Sequence, residues 1–140
     1  LAFELSQRRV DRALSFHSFG GMVLYPSAHT VLPIADVQEH KFWASRIAKK
    51  AAPRPYFTLP CSWFGLGVIQ GGFELDWFHQ RHGALSLLVE CSRGGLSWRP
   101  RRLFDPFAWF NPRNPADVAT HIASAVQPFV RGDPTPTEAT

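Results

Sequence analysis

Apolar positions along the chain follow two spacings, and each spacing predicts an element. Residues 10–16 (VDRALSF) read as a strand running into His17. Gly20 and Gly21 break it, and Met22 to Tyr25 resumes as a short apolar strand stopped by Pro26. Val37, Phe42, Trp43, Ile47 and Ala51 fall mostly on one side of a helix over 36–51, with Asp36 as N-cap. Pro53 and Pro55 end it. Residues 56–72, rich in glycine and aromatics, read as a loop, and 74–81 as a short helix. Ala84 to Glu90 (ALSLLVE) is a continuous apolar run, the mark of a strand buried on both faces. Residues 92–115 hold four prolines and read as irregular, and 115–130 as a closing amphipathic helix with Pro115 near its first position. The opening LAFELSQRR has helical spacing without a cap before it, so it reads as the tail of a helix.

Apolar strands between helices predict an α/β fold: a mixed, largely parallel sheet flanked by helices. Hydrophobic residues make up 45% of the 140, enough for the core of one domain, placed over 1–131. Residues 132–140 (GDPTPTEAT) lack a large apolar side chain and are expected to be disordered. The net charge of +4 is dispersed, its densest groups being Arg99, Arg101 and Arg102, and Lys49 with Lys50. No recognition motif accompanies it, so no nucleic-acid partner is expected. No apolar run is long enough to span a bilayer, and no membrane partner is expected. Cys61 and Cys91 are too few for a disulfide framework and leave open one bridge or two thiols. Compartment and oligomeric state stay open.

Two ionisable residues close the two best strands: His17 and Glu90. Sites in open α/β sheets form beyond the carboxyl ends of strands. If the two strands are parallel neighbours, both side chains can face one crevice. A histidine and a carboxylate there suit metal-assisted hydrolysis. The structural alternatives are a hydrogen-bonded strand-end histidine and a Glu90 paired with Arg93. His79 and His82, three apart on the short helix, have a spacing that could bind metal but read as surface residues; His29, His40 and His121 read as packing or solvent-facing.

Three segments carry a more specific signal. Residues 15–26 read SFHSFGGMVLYP, residues 71–77 read GGFELDW and residues 88–94 read LVECSRG. In that order they resemble the zinc carboxypeptidases of the carboxypeptidase A type. The first resembles the segment with the third zinc ligand, the second, one residue longer, the Gly-Gly-x-x-Asp-Trp element, the third the strand ending in the catalytic glutamate. The resemblance covers 1–131 and implies the C-terminal part of such a catalytic domain, its sheet incomplete at the N-terminal end. It implies Zn2+ as cofactor with His17 as a ligand, Glu90 as the base, and a peptide as substrate. It also implies Phe19, Leu75 and Asp76 as pocket residues, with Leu75 at the floor and Glu74 as the alternative. The implied activity is a metalloprotease's hydrolysis of a C-terminal peptide bond.

The departures are concrete. The family's His-x-x-Glu ligand pair is not among residues 1–16, and the stretch 65–70 lacks the tyrosine many members carry. The aromatic after His-Ser is Phe19, which cannot hydrogen-bond through its ring. These 140 residues by themselves are expected to be inactive and to hold no tight zinc. An amidase or deacylase of the same type, acting on cell-wall peptides or N-acyl amino acids, and a non-catalytic module remain as alternatives.

Overall fold

A computed structural model describes residues 7–64, 71–93, 104–112 and 114–135. The expected helix at 1–9 falls mostly outside these residues. So do the tyrosine-less stretch 65–70, the arginines at 99, 101 and 102, and most of the expected tail.

Four strands form one mixed sheet: β1 (Arg12–His17), β2 (Met22–Tyr25), β3 (Phe57–Pro60) and β4 (Leu85–Glu90). Their order is β1-β4-β2-β3. β1 runs parallel to β4, β4 antiparallel to β2, and β2 parallel to β3. The expected mixed α/β sheet is present. All six residues of β4 are buried, as its unbroken apolar run demands.

The two-residue period of the strands sorts the core into two halves. Leu85, Leu87 and Val89 of β4 join Val23 and Tyr25 of β2 on one face. Helix α1 (Val37–Lys50) covers that face with Trp43, Ala44 and Ile47, and helix α5 (Pro115–Val130) with Ile122, Ala125, Val126 and Phe129. Trp43 and Phe129 meet edge to face, centroids 5.5 Å apart, and the Arg12 guanidinium lies over both rings. On the other face Leu24 and Leu88 pack with Ala28, Cys61 and Leu75. There the cover includes α3 (Glu74–His82), which ends on Gly83 in the left-handed conformation at φ 62°.

Two short elements lie where none was expected. β3 and the single-turn helix α2 (Cys61–Phe64) fall inside the expected loop 56–72. Proline is tolerated at the end of β3 because that strand is an edge. Helix α4 (Pro106–Phe110) falls inside the expected irregular stretch, with Pro106 at its start and Asp105 accepting from the Ala108 amide. Cys61 and Cys91 are both free thiols. Burial first, then nearby carboxylates, push the Cys61 thiol up to about 12, so it is an inert core residue. No described helix is long and apolar enough to cross a membrane.

Trp43 is fully buried and joins α1 to α5. Trp43→Ala should cost roughly 3–5 kcal/mol of unfolding free energy. Urea denaturation followed by circular dichroism checks this; a loss under about 1 kcal/mol would mean that α5 does not pack on α1 as described.

Candidate active site

Parallel register places His17 of β1 directly opposite Glu90 of β4. Ser15 lies two residues earlier on β1, so it shares the face of His17. Glu74, first residue of α3, reaches the same face. His17 Nδ1 stands 3.6 Å from Glu90 Oε1, and His17 Nε2 stands 3.2 Å from Glu74 Oε1. The Ser15 hydroxyl donates to that same Glu74 oxygen. One imidazole is thus flanked by two carboxylates at the carboxyl ends of two adjacent strands.

Exposure separates the two carboxylates. The Glu90 side chain is 7% exposed, whereas those of Glu74 and His17 are 40% and 44% exposed. Burial raises the Glu90 carboxyl above the ordinary range, partly offset by His17 and by the Phe19 amide donating to it. Glu74 has the opposite balance. Burial pushes it up, but hydrogen bonds from Ser15, from its own backbone and from His17 outweigh that and hold it below the ordinary value. The two carboxylates beside His17 are therefore shifted in opposite directions, Glu90 upward by burial and Glu74 downward by its hydrogen bonds.

The turn after His17 shapes the crevice. Gly20 adopts φ 144°, and a Cβ there would come within 2.9 Å of the Glu90 Cβ. Gly21, at φ 61°, leaves no room either, because the Arg93 side chain fills the space. The pair lets the chain fold over Glu90 and turn into β2.

The other residues named from sequence have different surroundings. Phe19 is half-buried and packs edge to face on Phe110, centroids 4.8 Å apart. Leu75 is 1% exposed within the second half of the core, so Glu74, the alternative, is the residue that fronts the crevice. The Asp76 carboxylate accepts from the amides of Ala28 and His29 and contacts His29 Nδ1 at 2.6 Å. Those bonds hold the turn that follows β2. Arg93 does not pair with Glu90: it donates to the Pro55 carbonyl and lies over the Tyr56 and Phe57 rings.

A second polar group was not singled out from sequence. Asp36, His40 and His79 offer ligand atoms within 4.8 Å of one another, a group that could hold a metal ion without marking it as zinc. Asp36 occupies the N-cap position of α1 but makes no side-chain cap. Its carboxylate instead faces His40 Nδ1 at 3.4 Å and His79 Nε2 at 3.6 Å. His79, read from sequence as a surface residue, is only 19% exposed. β2 pairs with β4 only from Leu88 to Glu90, so the Ser86 amide lies beyond its reach. His40 Nε2 accepts that amide at 3.2 Å, which keeps the proton of the neutral ring on Nδ1. Coordination through His40 would displace that proton. The i, i+4 spacing of Asp36 and His40 was readable; their approach to His79 needed the fold.

No protein-family model matches the chain, and no curated protein matches it. His17, Glu90 and Glu74 are ligand types that zinc accepts, and His17 is open to solvent. The described residues supply one imidazole beside these carboxylates, and the group whose ligand atoms all lie within 4.8 Å of one another is Asp36, His40 and His79.

His40 carries a pH prediction. Burial chiefly lowers its pKa, while Asp36 opposes that and His79 adds to it. A base with a depressed folded pKa makes the unfolded chain bind the proton first, so stability falls as pH drops below the ordinary value of 6.5. Urea midpoints should decline from pH 7 to pH 5, and His40→Leu should flatten that slope while destabilising the chain throughout. An unchanged slope in the variant would remove His40 as its source.

Proposed function

We propose that this chain supplies His17 and Glu90 to the active site of a zinc-dependent metallocarboxypeptidase that hydrolyses a C-terminal peptide bond. One observation carries the reading: His17 and Glu90 stand opposite one another on adjacent parallel strands, Nδ1 to Oε1 3.6 Å, with the imidazole open to solvent and the carboxyl buried. The resemblance of the three sequence segments agrees with it. In this reading residues 1–131 are part of a zinc-carboxypeptidase-like domain whose His-x-x-Glu ligands lie outside residues 1–16.

His17 would hold zinc through Nδ1, the nitrogen that faces Glu90. Zinc in such a site polarises a carbonyl and acidifies water. Glu90 takes the water proton on its carboxylate and passes it to the leaving amine. Its burial favours the protonated form and so makes it a stronger base than a surface glutamate. Gly20, packed on Glu90, limits where that carboxylate can swing.

The test uses the protein carrying this chain together with a complete ligand set. Glu90→Gln should lower chelator-sensitive release of C-terminal residues by roughly 10²–10⁴-fold with zinc content unchanged. Unaltered turnover would remove Glu90 as the base. Absence of zinc from the wild type would favour a non-catalytic module.

A further inference from the structure

We propose that Glu74 is a positioning residue for His17: it accepts the imidazole Nε2 proton and so leaves the unprotonated Nδ1 facing Glu90. Its catalytic consequence rests on the metallopeptidase reading, but the assignment stands on geometry alone. A neutral imidazole has one N–H to give. Two carboxylates compete for it. Glu74 Oε1 lies 3.2 Å from Nε2, within hydrogen-bond reach, whereas Glu90 Oε1 lies 3.6 Å from Nδ1, beyond it. The proton therefore belongs on Nε2.

Three features hold Glu74 in place for this task. The Ser15 hydroxyl donates to the oxygen that His17 uses, and strand period keeps Ser15 and His17 on one face. Glu74 opens a nine-residue helix, where the backbone dipole favours a negative side chain. Leu75, next along, is locked in the core and anchors that turn of the helix. A carboxylate on the far nitrogen fixes ring orientation and makes the near nitrogen a better donor to a metal. Sequence reading treated this position as an alternative pocket floor; the geometry gives it a different task.

Long-range proton–nitrogen NMR on the labelled 140-residue chain, without metal or substrate and at mildly alkaline pH, reads the tautomer directly. Wild-type His17 should show a pyrrole-type Nε2 and a pyridine-type Nδ1. Glu74→Ala should move both nitrogens toward tautomer-averaged positions. Glu74→Gln, whose amide oxygen can accept the same proton, should restore the wild-type pattern. Ser15→Ala should give an intermediate spectrum, and it covers the case in which Glu74→Ala fails to fold. A wild-type ring protonated on Nδ1 would overturn the assignment, as would a Glu74→Ala spectrum identical to wild type. Zinc uptake by the protein with a complete ligand set separates the two claims. An Nε2–H tautomer without zinc binding there would sink the peptidase reading and leave the Glu74 assignment standing.

Discussion

Parallel pairing of β1 with β4 is the constraint from which the rest of the molecule follows. One register sets Arg12 against Leu85 and, five residues on, His17 against Glu90. Slipping it by one residue would turn every β1 side chain to the opposite face. Arg12 would leave the Trp43 and Phe129 rings, and His17 would leave Glu90 and Glu74. The same register therefore fixes the core on one side and the crevice on the other. β4 can bear this load because it lies between β1 and β2 and all six of its residues are buried.

Polar side chains at the two ends of β4 answer to how far β2 extends. Near its carboxyl end, Met22 pairs with Glu90 and the preceding Gly20 packs against that glutamate. At its start β2 no longer reaches, and His40 takes the Ser86 amide that a strand partner would otherwise take. The two histidines differ accordingly. His40 is fully buried and committed to a backbone amide, whereas His17 is open and flanked by acids. Either group contains atoms that a metal could use; His40 Nε2 is already taken by a strand amide, whereas both nitrogens of His17 face carboxylates.

Much of this was legible in the sequence. ALSLLVE could hardly be anything but a doubly buried strand, and the spacing of Val37, Trp43 and Ile47 declared a helix packed on one side. Pro115 marked the start of the last helix, because a proline at that position gives up no hydrogen bond. β3 was missed because FTLP has too few residues to show a period and ends in proline. Helix α4 was missed among prolines, although Asp105-Pro106 is a start signal. His17 and Glu90 stood out as strand ends. Glu74 and Leu75 were harder, since neighbouring residues on a helix point about 100° apart and only the packing of Leu75 decides which faces the crevice. Asp36, His40 and His79 come together from two helices far apart in sequence, a juxtaposition no local pattern encodes.

We propose that His17 and Glu90, rather than the group at Asp36, are where this chain engages a metal ion. Titrating zinc at millimolar concentration onto the isotopically labelled chain, with side-chain histidine and carboxylate resonances followed by NMR, tests it most directly. The account predicts that the first and largest shifts fall on His17 Nδ1 and the Glu90 carboxyl, with weak affinity because the described crevice offers a single imidazole. Shifts that centre on His79 and Asp36 while His17 stays unmoved would contradict it.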